Sequence, residues 1–169
     1  MKRRANILPS LKLMLLFMFL LFITAIIAQP SLPDRNITAL PTQPIDFGVF
    51  YVAGAGTIEV DYQGNINVTG GVVSLNTATV TPAIFEIKLC QGRKIAITYD
   101  YSVMINGSNG GEIELVVGPT DRGISGAEFF SSNDCNFITV LRVGGKLIIP
   151  ANTIPGIYSG SFPLVFTQE

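Results

Sequence analysis

The sequence predicts an all-β protein, an antiparallel β-sandwich of short strands that follows an N-terminal signal peptide. Three observations predict it. After residue 45 the apolar residues recur with a period of two, the repeat of a half-buried strand. Turn residues end these runs at spacings of roughly 8–12 residues, as in a sandwich. No stretch after residue 28 holds a helical period for three turns, so a helix has no continuous apolar face to bury.

Residues 1–28 differ from the rest. Lys2, Arg3 and Arg4 give a basic start, and Leu11 to Ala28 is an apolar run interrupted only by Lys12 and Thr24. Ala25 and Ala28 precede Gln29-Pro30. This is the plan of a secretory signal peptide cut after Ala28, although an 18-residue apolar run would also just span a bilayer as an uncleaved anchor. Without the leader, 7 Lys+Arg face 12 Asp+Glu, a net charge of −5. That balance supports no basic patch for nucleic acid or anionic lipid, and cleavage of the leader would leave no stable membrane span in the mature protein. Residues 29–45 carry Pro30, Pro33, Pro41 and Pro44. Because proline removes a backbone donor and resists helix, this segment reads as a linker.

The domain is expected over residues 46–169. Phe47, Val49 and Tyr51 share one face, and Gly54 and Gly56 bracket a turn. Ile58, Val60 and Tyr62 form the next face, and Gln63-Gly64-Asn65 turns the chain into Ile66 and Val68. Gly70-Gly71 interrupts before Val72 to Leu75. Phe85, Ile87 and Leu89 alternate with Glu86 and Lys88; Ile95, Ile97, Tyr99 and Tyr101 alternate with Lys94, Thr98 and Asp100. Ile113, Leu115 and Val117 alternate with Glu112 and Glu114. Gly118 to Asn136 reads as an irregular surface loop. Phe137 to Val143 is a denser apolar run, Gly144-Gly145 reads as a tight turn or bulge, and Lys146 to Ile149 follows. A terminal strand over Gly156–Glu169 places Tyr158, Phe162, Leu164 and Phe166 on one face.

Catalytic chemistry finds little support. The chain has no His, the commonest general base and a usual zinc ligand, and it has no Gly-x-Ser-x-Gly nucleophile elbow. Glu112 and Glu114 sit two apart on one strand, about 7 Å from each other. That spacing suits glycosidic acid/base work, but an amphipathic strand's solvent face has the same pattern, and Glu59 and Asp61 repeat it. The run Asp61 to Asn67 is the nearest approach to a calcium loop and fails the EF-hand spacing. The expectation is no enzyme, no cofactor and no metal. All five tyrosines fall on predicted apolar faces, so they are read as core residues with a polar handle. Cys90 and Cys135 are the only cysteines, and an even pair in an exported chain reads as a disulfide.

The stretches "PIDFGVF", "GTIEVDYQGNINVTGGV" and "LRVGGKLIIPANTIPGIYSGSFPLVF" resemble a bacterial secreted family known as domain of unknown function 4402. Its anchors here would be Asp46-Phe47-Gly48, Val143-Gly144-Gly145-Lys146-Leu147 and Gly156 through Phe162. The match spans residues 44–167, while residues 76–136 match only as generic strands, and the cysteines are outside the pattern. The family is similar to spore-coat U-type domains and, more distantly, to chaperone–usher pilins. The resemblance implies an immunoglobulin-like sandwich at the bacterial surface, exported to periplasm, cell surface or medium, with a structural or adhesive role. It supplies no catalytic residues.

Pilin-type domains complete a sandwich with a strand from the next subunit. Tyr158, Phe162, Leu164 and Phe166 would then form an interaction edge, with Asn36 to Gln43 as the donor candidate and the partner either a second copy or another surface subunit. Pro163 opposes this, because it lacks an N–H and blocks an edge. The alternative is a monomeric module that binds a ligand or glycan through the 118–136 loop.

Overall fold

The computed structural model describes Met14 and residues 37–76, 79–89, 94–131 and 136–168. The predicted leader (apart from Met14), residues 29–36, Cys90 and Cys135 lie outside the described residues, and so does the predicted disulfide. From residue 37 onward the described chain is all-β, in eleven strands: β1 Thr38–Gln43, β2 Val49–Val60, β3 Ile66–Asn76, β4 Ala83–Lys88, β5 Lys94–Tyr99, β6 Ser102–Gly107, β7 Glu112–Thr120, β8 Glu128–Phe130, β9 Thr139–Ile149, β10 Tyr158–Ser159 and β11 Leu164–Gln168. Among the described residues no helix is long and apolar enough to cross a membrane.

The strands form two antiparallel sheets. The larger has eight strands, with the path β1-β4-β9-β7-β6-β10 and the β2–β3 hairpin branching from β9; the smaller is β11-β5-β8. One apolar cluster draws on both. Ile58, Ile87, Ile113, Leu141 and Val143 of the large sheet and Ile95 and Ile97 of the small one have no exposed surface. Burying each such side chain contributes roughly 1.5–3 kcal/mol, which makes this interface the main stabilising element.

β9 organises the large sheet. β7 runs along one side, pairing Glu114–Val117 with Gly145–Ile148. On the other side β9 pairs first with β4, through Thr139–Val143, and then with β2, through Gly145–Ile149. Gly144-Gly145 is therefore not a turn, and the register with β7 shifts at this level, between Val117 and Thr120. It is also the level at which one strand changes partners. A Cβ on Gly144 would lie 2.7 Å from the Val60 carbonyl oxygen, so the C-terminal end of β2 can lie here only because position 144 has no side chain.

The hairpin β2–β3 corrects two further expectations. Gly54, Gly56, Gly70 and Gly71 lie inside strands rather than at turns. A Cβ on Gly71 would sit 2.5 Å from Gly54 N, and the register shifts between Val52 and Gly56. Glycine on both strands at one level lets the backbones approach and the pair curl. Val49 and Tyr51 do not share a face with Phe47: Phe47 is buried, whereas Val49 and Tyr51 are 56% and 60% exposed. The cause is Gly48. Its φ is +72°, and its N–H donates to Asp46 Oδ1 at 2.7 Å. This Asx turn resets the alternation, so Phe50 and Val52 turn inward instead.

Three strands lie where the pattern gave none. Thr38–Gln43, inside the predicted linker and donor candidate, forms β1 on the edge of β4 of the same chain. β6 supplies buried Ile105. β8 falls within the predicted 118–136 loop and buries Phe129 against the core.

Candidate functional site

The predicted terminal strand is two strands. Tyr158 and Ser159 pair with Gly107 and Asn106 at the edge of the large sheet. The chain then crosses through Gly160–Pro163 and pairs Leu164–Gln168 with Ile95–Tyr99 in the small sheet. Each residue of the Gly-x-Tyr-x-Gly-x-Phe motif has a place in this crossing. Ser108 Oγ accepts from Ile157 N at 3.1 Å, and Asn109 Nδ2 donates to the Pro155 carbonyl at 2.7 Å. The Tyr158 hydroxyl donates to the Ile154 carbonyl at 2.7 Å, and its ring covers Gly107. Gly160 passes against Ile105, where a Cβ would come within 2.6 Å. Phe162 meets Phe85 edge to face, with ring centroids 6.4 Å apart.

Tyr158, Phe162, Leu164 and Phe166 are therefore half-buried on their own core. What β11 presents outward is its backbone edge and Val165, which is 52% exposed. Among the described residues β11 pairs only with β5. Pro163 sits in the crossing just before β11, in a shallow hollow with Thr98, Asp100 and Val165.

A deeper cleft lies at the end of the sandwich where the chain twice changes sheets, from β5 to β6 and from β7 to β8. Its volume is about 410 Å³. Its floor is a row across the outer face of the large sheet, in which Glu59 pairs with Lys146 and Lys146 with Val116. Lys146 Nζ lies 3.0 Å from Glu59 Oε2. The walls are Tyr99, Tyr101, Pro119, Ile124 and Ser125.

The walls are held from several directions. Tyr99 N donates to Ser125 Oγ at 3.0 Å, and Ser125 Oγ donates back to the Tyr99 carbonyl at 3.0 Å. Ile97 exchanges backbone bonds with Gly126 and Ala127. Thr120 Oγ1 donates to the Gly123 carbonyl and accepts from Arg122 N, and Asp121 Oδ1 accepts from Arg142 N. Gly118, joined to Pro119 by a cis peptide, has φ +87° directly beneath the Tyr99 hydroxyl. Burial pushes the Tyr99 phenol above its ordinary value, against an opposing hydrogen bond from Ser125.

This placement overturns part of the tyrosine reading. Tyr101 is 76% exposed because β5 ends at Tyr99 and Tyr101 sits on the bend into β6, outside the alternation. Tyr62, Tyr99 and Tyr158 are half-buried. Glu112 and Glu114 lie on the outer face of β7, Glu112 exposed and Glu114 half-buried, and neither lines the cleft. Asp61 is committed to the β2–β3 turn: Oδ1 accepts from Gln63 N and Asn65 N, and Oδ2 accepts from Asn65 Nδ2. Burial raises its carboxyl, but those hydrogen bonds outweigh it and hold the group below its usual value. Among the described residues no cluster of three metal-ligating side chains occurs. Sequence reasoning missed Ile124 and the Glu59–Lys146 pair, since their proximity depends on pairing between distant strands that no local pattern encodes.

Neither a curated protein nor a solved structure matches the chain. The model of one family, described as "Domain of unknown function (DUF4402)", matches residues 37–166. The three motifs are thus the Asx turn before β2, the partner change in β9 and the crossing from β10 to β11, and the chain that carries them belongs to this domain-of-unknown-function family.

Proposed function

We propose that the protein is an exported bacterial surface or periplasmic subunit with a structural or adhesive role, which associates with a second copy or another surface subunit by strand addition at β11. The observation that carries this reading is that, among the described residues, Leu164–Thr167 pair on one side only, with β5. An unpaired strand edge offers a row of donors and acceptors to an incoming strand. Val165 and Thr167 are both exposed along it, without a charged side chain between them. Export is supported by the basic start and the apolar run to Ala28, and the Cys90–Cys135 pair fits an oxidising compartment.

Replacing Val165 and Thr167 together by Lys tests the reading, because lysines on an edge oppose strand addition. Sedimentation of the purified protein should show concentration-dependent association that the double variant abolishes. A wild-type chain that stays monomeric at high concentration and with periplasmic extract, or a variant that associates as well as the wild type, would sink the proposal.

A further inference from the structure

We propose that the cleft between Tyr101, Ile124 and the Glu59–Lys146 pair binds a neutral saccharide ring. This goes beyond association through β11 and stands on different residues. At about 410 Å³ the cleft falls within the ~300–1,000 Å³ range typical of small-molecule sites. A pyranose has an apolar C–H face and a rim of hydroxyls, and the cleft offers a counterpart to each.

Val116, Pro119, Ile124 and Tyr101 supply apolar surface. Tyr101 and Ile124 are 76% and 72% exposed, so their apolar surface is open to a ligand at the mouth of the concavity. The tyrosine presents a large ring at a low entropic cost on ordering.

The charges select among ligands. Lys146 and Glu59 form a pair whose side chains are 40% and 32% exposed. An anion entering here meets Glu59, and a cation meets Lys146, so a charged ligand is disfavoured unless it breaks the pair. A neutral hydroxylated ring meets neither repulsion. The ammonium retains donors and the carboxylate retains lone pairs beyond their mutual bond, so vicinal hydroxyls find one of each. The walls are also pre-organised by the Ser125–Tyr99 bonds and the Thr120–Gly123 turn, which lowers the ordering cost of binding.

Isothermal titration calorimetry reads binding in the wild type and in Tyr101→Ala alike, because no side chain serves as the reporter. Titration of the purified protein with methyl glycosides of glucose, galactose, mannose and N-acetylglucosamine should give a saturable change with at least one of them. Tyr101→Ala should weaken that binding about tenfold, within the range for an aromatic contact. Glu59→Gln should weaken it too, and Tyr51→Ala, at an exposed tyrosine outside the cleft, should leave it unchanged. Circular dichroism of each variant separates loss of binding from loss of fold. Absence of saturable binding by the folded protein to any of the four sugars overturns the proposal. So does binding that Tyr101→Ala leaves intact, or a response confined to charged sugars or to apolar peptides used as controls.

Discussion

Gly118 and Asp61, which follow the two residues paired with Gly145 of β9, show how single positions shape the sandwich. At Gly118 the left-handed backbone excludes most L-residues, and a Cβ would collide with the Tyr99 hydroxyl. Gly118→Ala should therefore destabilise the fold by about 1–3 kcal/mol, read as a drop in the denaturant midpoint, and should also disturb the wall of the cleft. Asp61 acts through its charge. Its carboxyl is held low in the folded state, so the stabilisation is present above the unfolded value, near ~3.9, and fades as pH falls through the lower folded value. Asp61→Ala should lower the melting temperature at pH 7, and the gap between variant and wild type should shrink below about pH 4. A gap that persists unchanged into acid would mean that the turn depends on shape and not on the anion. Alternation was easy to read in the sequence on either side of Phe47, but the +72° φ of Gly48 that breaks it was not. A glycine permits such an angle without demanding it.

Among the elements, β9 and the β10–β11 crossing carry the most information. β9 keeps Leu141, Val143, Leu147 and Ile149 facing inward across its whole length, so its apolar pattern was legible as a strand. Its change of partner was not, because pairing is a property of two segments and a local pattern describes one. The crossing explains why a single alternating run from Tyr158 to Phe166 serves two sheets: the same parity faces the shared core from either layer. The latch at its start is modest in energy. Tyr158→Phe removes the bond to the Ile154 carbonyl and should cost about 0.5–1.5 kcal/mol, measured by chemical denaturation. A neutral result would assign the latch to ring packing over Gly107 alone. β6 and β8 escaped the sequence reading because each offers only one or two inward side chains. So short a repeat cannot be told from chance in a polar stretch.

For the whole molecule, stability rests on the interface between the sheets. Ile97 has no exposed surface, whereas Ile148 on the outer face is 40% exposed. Ile97→Ala should cost about 2–5 kcal/mol, and Ile148→Ala no more than about 0.5–1 kcal/mol. Equal losses at the two sites would contradict the two-layer arrangement. From its sequence alone the chain is determined to be all-β, with Ile58, Val60, Ile95, Ile97, Ile113 and Leu115 among its core residues. Such features follow from local composition and a period of two, which the pleat enforces on each strand separately. Only the tertiary structure decided that β9 holds β4 and β2 on one side, that β11 pairs with β5 alone among the described strands, and that Glu59, Tyr101, Ile124 and Lys146 line one cleft. Those outcomes depend on which distant strands pair and in what register, and the hydrogen-bonding backbone that makes such pairs is the same at nearly every residue.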